Sequence, residues 1–135
     1  MAQIVLTDVD VEVNSVDLSD HVTSVVINFD VDAVEVTAMS DEAHKFIGGL
    51  TNASATIEFQ QDFASSSVDD TINGLVGTTT TVVILPTSDS LSATNPSYTL
   101  TDTFVASYQP INGGVGELSM TSVEFQGGTL ARATS

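Results

Sequence analysis

The chain has 135 residues, no cysteine, and eighteen acidic residues against two basic ones, for a net charge of −16. That length suits one domain. The composition excludes disulfides and thiolate metal sites, and it argues against a conventional phosphate-binding surface, which needs Lys or Arg to displace counterions.

The start of the chain, MAQIVLTDVD, has no basic opening and no long apolar run, so no signal peptide is expected. No apolar run approaches the roughly 18 residues of a membrane span. Acidity with few aromatics can signal disorder, but a hydrophobic content of 41% and regular alternation of apolar residues outweigh it. Such a charge makes copies repel one another at low ionic strength. Excess acid with almost no lysine fits a salt-loving host, and equally an acidic surface in ordinary salt.

In TDVDVEVN, Val9, Val11 and Val13 alternate with Asp8, Asp10 and Glu12, which predicts a strand with one core face and one wet face. Asn14-Ser15 reads as a tight turn, and the chain continues through Val16 and Leu18 to a strand over Val22–Phe29. Asp30–Ala33, DVDA, reads as a turn, with a strand over Val34–Thr37 pairing back. Ser40 can cap a helical turn over Asp41–Phe46, stopped by Gly48-Gly49. Ala53–Gln61 alternates as a strand.

The stretch SSSVDDTINGLVG predicts the one α-helix, with Ser67 as N-cap and Val68, Ile72, Leu75 and Val76 as an apolar stripe. TTTTVVILP is a strand closed by Pro86, and TSDSLSATNPS is a polar loop. Tyr98–Gln109 is a long strand, PINGGVG a Gly-rich turn, and Glu117–Gln126 the antiparallel partner. GGTLARATS reads as a tail, mobile or docked on a neighbour. The fold expected is a single mainly β domain over residues 1–135, an antiparallel β-sandwich or barrel with one packed helix. Residues 1–7 and 128–135 are candidate extended arms.

Little in the chain points to chemistry. His21 and His44 are the candidates for acid–base work at neutral pH, and each stands alone among hydroxyls and carboxylates. His44 with Asp41 offers two metal ligands where a catalytic site wants three. Carboxylates alternating along a strand are nearly 7 Å apart and do not converge as calcium requires. No serine sits in a G-x-S-x-G context. Gly113-Gly114 with Gly116 lacks the lysine and the helix of a phosphate loop. NAS at Asn52–Ser54 matches a glycosylation acceptor, a three-residue pattern common by chance. No enzyme activity, catalytic residue, cofactor or metal is expected.

The link between Val34 and Phe59 is the strongest clue. Met39, Phe46, Ile47 and Leu50 crowd a connection of about a dozen residues, longer than a hairpin needs, together with His44 and the only lysine, Lys45. One reading tucks Phe46 and Leu50 under the domain's own sheet. The other makes the six residues a contact surface for a second copy, since clustered exposed apolar groups mark interaction sites.

The succession DAVEVTAMSDEAHKFIGGLTNASATIEFQQDF, then VDDTINGLVG and TTTVVILPTS, resembles the major tail tube protein of long-tailed, siphovirus-like phages and related archaeal tailed viruses. The resemblance continues through NPSYTLTDTFVASYQPINGGVGELSMTSVEFQGG, similar to that family's final hairpin with its S-V-x-F strand, and covers about Val22 to Thr129. Ala53-Ser54 departs from it, where a glycine would precede the strand.

The resemblance implies a tail tube fold in a virion protein made in the host cytoplasm. Subunits would form hexameric rings, a β-hairpin from each joining a continuous inner barrel. The rings would stack into a tube that encloses a tape-measure protein, meets terminator and baseplate proteins, and passes DNA as transient cargo. No membrane is implied. Candidates for lumen-facing acids are Asp8, Asp10 and Glu12, or Glu35 and Glu58. Rival readings are a capsid decoration or cement protein, and a surface β-sandwich interaction module.

Overall fold

The computed structural model describes residues 5–134. Eight antiparallel strands form one sheet that curls around a single core. In chain order they are β1 (Asp10–Val13), β2 (Val16–Asp17), β3 (Val22–Glu35), β4 (Phe46–Gln60), β5 (Thr79–Leu85), β6 (Ser97–Ser107), β7 (Met120–Gln126) and β8 (Thr129–Ala133). The helix α1 spans Val68–Ile72 and runs into a 3-10 turn over Asn73–Leu75. The fold class expected from the alternation is the one observed.

The sheet order is β2-β1-β5-β6-β7-β4-β3, with β8 also on β6. β6 carries the fold from one layer to the other. Its first half pairs with β8 and its last residues with β7, while β5 lies along its other edge. Between β7 and β8 the chain breaks at Gly127-Gly128, both at positive φ, and β6 bends opposite at Asp102, also at positive φ. A Cβ on Gly128 would stand 2.4 Å from the Thr101 carbonyl oxygen, so only glycine fits this corner.

The period-two pattern builds the core directly. Val11 and Val13 from β1, Val82 and Ile84 from β5, Leu100 and Val105 from β6, Val123 and Phe125 from β7, and Ala53 to Phe59 on alternate positions of β4 are all buried. α1 closes one end through Val68 and Ile72. Asn14 and Ser15 sit at φ 51° and 66°, as a two-residue type I′ hairpin requires.

Several expectations need correction. Asp30–Ala33 is no turn: β3 runs unbroken through it to Glu35. No helical turn forms over Asp41–Phe46, and Gly48-Gly49 lies inside β4 rather than ending a helix. The acids of β3 alternate with apolar residues, so they decorate a strand face instead of punctuating it. The two glycines sit where the β3–β4 register shifts, and Cβ atoms there would press on Val31 and Val34 at 3.2 and 3.0 Å. Ser67 occupies the N-cap position of α1 without a capping hydrogen bond from its side chain. Thr129–Ala133, read as part of a tail, pairs with β6 of the same chain from Ser97↔Ala133 to Thr101↔Thr129. Residues 1–4 of the first candidate arm, and Ser135 of the second, lie outside the described residues.

Candidate functional site

The β3–β4 hairpin is longer than the sheet it belongs to. β7 pairs with β4 only from Ser54 to Gln60, whereas β3 and β4 pair as far as Glu35↔Phe46. Beyond Ser54 no third strand pairs with the ribbon among the described residues. The core side of the ribbon runs along β3 from Val25 and Ile27 to Phe29, Val31 and Ala33 by simple alternation, with Phe46 opposite Glu35 at the far end. Val25 and Ile27 pack on the core. Phe29 lines a cleft with Tyr98 and Leu130 of the facing layer, and Val31 and Phe46 continue the same side beyond it; all three are exposed. Among the described residues no strand pairs with the outer edge of β3, which leaves a long row of backbone donors and acceptors open to another chain.

The tip over residues 36–45 is held by its own hydrogen bonds. The Val36 N–H donates to the Lys45 carbonyl at 2.8 Å, and the Lys45 N–H to the Thr37 hydroxyl at 2.9 Å. The Ala38 N–H donates to the Asp41 carboxylate at 2.7 Å, and Lys45 Nζ meets the same carboxylate at 2.8 Å. The Lys45 contact and the Ala38 N–H hold the Asp41 carboxyl below the usual carboxylate range. Glu35 accepts from the Thr37 hydroxyl at 3.0 Å and contacts the His44 ring.

All six contact candidates lie at this end of the ribbon and face solvent. Leu50 is 80% and Phe46 58% exposed; Met39 and Ile47 are open as well, and so are the side chains of His44 and Lys45. The tucked reading of Phe46 and Leu50 is therefore excluded within one chain. Lys45 is engaged with Asp41 of its own chain, four residues earlier.

The other side of the β3-β4-β7 layer is mostly polar, with Val26, opposite Thr56, exposed among its polar neighbours. Pairing aligns Ser24 with Glu58 and Ser122, Thr56 with Glu124, Asn28 with Ser54 and Gln126, and Asp30 with Asn52. Glu58 belongs to this face, and Glu124, which the sequence reading did not single out, stands on it one strand away. Asp10 and Glu12 project from β1 in the layer across the core, where Asp10 accepts from the Ser19 hydroxyl at 2.7 Å. Asp8 accepts from Ser88 at 2.7 Å. Glu35 lies at the ribbon tip. The five lumen candidates thus fall in three separate places.

The sequence reading also missed the β6–β7 connection, residues 108–119, where Ile111, Val115 and Leu118 are exposed. Its glycines suggested only a turn. They shape a protruding loop, with Gly113 and Gly116 at positive φ.

His21 does not stand alone in the fold. Its Nδ1 faces Asp20 at 3.1 Å and its Nε2 faces Asp62 at 2.8 Å, with the Ser67 hydroxyl 3.4 Å from Nε2. This resembles a Ser–His–Asp set, but the nitrogen that would take the serine proton is turned to Asp62, so the geometry suits a structural clasp. Asp62 is held below the usual carboxylate range by the Ala64 N–H first, then by Ser67 and His21. A second clasp links Gln61, Tyr108 and Asp69: Gln61 Nε2 donates to the Tyr108 hydroxyl at 2.9 Å, and that hydroxyl donates to Asp69 at 2.7 Å. Burial first, and then the Asp69 carboxylate, push the Tyr108 phenol up to about 12. Among the described residues no group of three His, Asp or Glu side chains converges as a metal site.

The chain matches no protein-family model and no curated protein sequence. Its fold does match solved structures. One is a chain in the sheath/tube terminator of an extracellular contractile injection system, PVC, in the extended state, with TM-score 0.74, 12% identity, and coverage of 98% of this chain and 97% of that one. A chain in the virion of a native gene transfer agent particle gives TM-score 0.73 at 13% identity, covering 93% and 95%. A chain in the sheath-tube complex of the same injection system, also extended, gives 0.71 at 11% identity, covering 98% and 93%. At these identities the likeness is one of fold, and it extends over nearly the whole length of each chain.

Proposed function

We propose that this chain is a virion structural protein that polymerises into stacked hexameric rings, the tail tube through which viral DNA is ejected. One observation carries the reading: the apolar side of the β3–β4 ribbon continues from Phe29, at the margin of the facing layer, to exposed Val31 and Phe46. An apolar surface of that kind, next to an unpaired strand edge, is completed by another copy. The near full-length match of the fold to chains in a gene transfer agent virion and in the sheath-tube assemblies of a contractile injection system supports the same reading, and the six-fold count follows the family resemblance.

In this arrangement Met39, His44, Lys45, Phe46, Ile47 and Leu50 touch neighbouring subunits. The polar face of the β3-β4-β7 layer lines the channel, with Asp30, Glu58 and Glu124 among its acids. Asp8, Asp10 and Glu12, on the far layer, then face the outside, and Glu35 orders the tip. DNA carries one charge per roughly 1.7 Å of helix axis, so a basic wall would grip it at many points and an acidic one lets it slide. The protein has no catalytic role and needs no cofactor. Its partners are its own copies, a tape-measure protein, terminator and baseplate proteins, and DNA in passage. It resides in the virion after synthesis in the host cytoplasm.

Negative-stain electron microscopy of the purified chain in molar salt tests this. Hollow stacked rings are expected. Discrete trimeric particles would instead favour a capsid decoration protein, and isolated monomers at every salt concentration would overturn the assembly reading.

A further inference from the structure

The chain holds two Asn-Gly pairs, Asn73-Gly74 and Asn112-Gly113. Asparagine is chemically labile. Its side-chain amide carbon can be attacked by the backbone nitrogen of the next residue, and glycine, having no Cβ, leaves that approach open. Both asparagines are exposed, so water reaches both. The fold treats them differently.

Asn73 opens the 3-10 turn that follows α1. It sits at φ −55° and ψ −39°, and its N–H donates to the Asp69 carbonyl. Attack closes a five-membered ring, which needs the asparagine Cβ and the next backbone nitrogen on the same side of the Cα–C bond. A helical ψ holds them apart, so Asn73 reacts only if the turn unwinds. Asn112 lies in the β6–β7 connection, outside helix and strand. Among the described residues the Gly113 N–H has no hydrogen-bond partner. Space around Gly113 is open as well: a Cβ added there would find its nearest atom at 3.6 Å. The Asn112 amide nitrogen is held only by an exposed hydrogen bond to Gln109 Oε1 at 3.2 Å.

We infer that Asn112 is a site of spontaneous deamidation and that Asn73 is protected from it. The Gly113 nitrogen gives its proton to solvent base and bonds to Asn112 Cγ. The Cγ–Nδ2 bond breaks, and the amide nitrogen takes a proton from water and leaves as ammonia. One water molecule then opens the cyclic imide at either carbonyl. Opening at Cγ gives aspartate; opening at the backbone carbonyl gives isoaspartate, with an extra methylene in the main chain. In sum an amide and water become a carboxylate and ammonia, with no electron transfer and no second copy of the chain. The change adds a negative charge to a stretch in which Glu117 is the only charged residue from Gln109 to Ser119. The isoaspartate form also displaces the Asn112 carbonyl, which accepts from the Ser119 hydroxyl at 3.0 Å. The loop thereby loosens with the age of the protein.

Peptide mass mapping of the full chain, aged in warm buffer at a series of pH values, tests this. The peptide that contains Asn112 should gain the mass difference between water and ammonia, split into aspartate and isoaspartate forms, and do so faster as pH rises. The Asn73 peptide should change several-fold more slowly. In urea the two should age alike, because the turn that protects Asn73 is gone. Asn112→Gln, which closes a six-membered ring far less readily, should abolish the change at that position. An unaltered Asn112 peptide, an Asn73 that ages as fast in the folded chain, or a preference for Asn112 that persists undiminished in urea would each overturn the inference.

Discussion

In β4, Ala55, Ile57 and Phe59 are buried, while Phe46 at the start of the same strand is 58% exposed. The two halves of the hairpin share backbone pairing and apolar character on the same side of the ribbon. They differ in exposure: Ala55, Ile57 and Phe59 of the inner half share the buried core with β1, β5, β6 and α1, whereas Val31 and Phe46 of the outer half are exposed among the described residues. The same side-chain chemistry therefore stabilises the monomer in one place and stays open to solvent in the other. Apolar burial contributes about 25 cal/mol per Å2 whether a chain supplies its own cover or receives it from a copy.

The comparison is tested most severely by one substitution made in both halves. Ile57→Ala, in the covered half, should cost about 2–5 kcal/mol of unfolding free energy, because it leaves a cavity where the side chain is fully buried. Phe46→Ala should shift monomer stability by about 0.5 kcal/mol or less, as exposed positions do, yet weaken assembly. Denaturant unfolding of the monomer at low salt, with sedimentation at high salt, reads both numbers. Equal losses of monomer stability would show that the outer half is part of the monomer core.

Next in size, Phe46→Asp with Leu50→Asp should give soluble subunits with unchanged circular dichroism that form no tubes. Normal tubes from that pair would remove the outer half from the contact surface.

Salt should act on both halves through the net charge of −16. At 1 M the Debye length falls to roughly 3 Å, so the melting temperature should rise from dilute buffer to molar salt and assembly should rise with it. A melting temperature flat in salt would discard the salt-loving reading while leaving the contact surface in place.

The smallest effect is that of pH on the tip. The folded-state value of Asp41 lies below its unfolded value of 3.8, so its tie to Lys45 and Ala38 is fully present above about pH 4 and is lost as pH falls through the lowered folded value. Amide exchange at Ala38 should therefore speed up below pH 4 relative to the intrinsic rate, and Asp41→Asn should abolish that pH dependence. An acid-insensitive tip in the unsubstituted chain would contradict the role given to the carboxylate.

Much of this division was legible in the sequence. Val9 to Val13 and Ala53 to Phe59 alternate cleanly because one side of each meets a core. Asn14-Ser15 announced its turn because asparagine tolerates the left-handed region. Val68 and Ile72 marked the helix by their spacing. The outer half was harder to read, because Asp30-Val31-Asp32 and Gly48-Gly49 carry residues that usually end strands, and a ribbon wet on both sides in the monomer lacks the contrast that marks a covered strand. Met39 to Leu50 still stood out as too apolar for a link. The β6–β7 loop did not, since Ile111, Val115 and Leu118 are spaced among glycines and the loop is anchored at Tyr108 and Pro110 by Gln61, which comes from elsewhere in the chain. Glu124 was passed over for a related reason: its nearness to Glu58 depends on the β4–β7 register.

Hydrogen–deuterium exchange on the assembled and dissociated forms, compared at matched pH and salt, tests the central claim most directly. If another copy completes the outer half of the hairpin, amides over residues 30–35 and 46–51 gain protection on assembly, while those over residues 53–59, already covered, change little. Assemblies in which residues 30–35 and 46–51 exchange as fast as in the free subunit would contradict it.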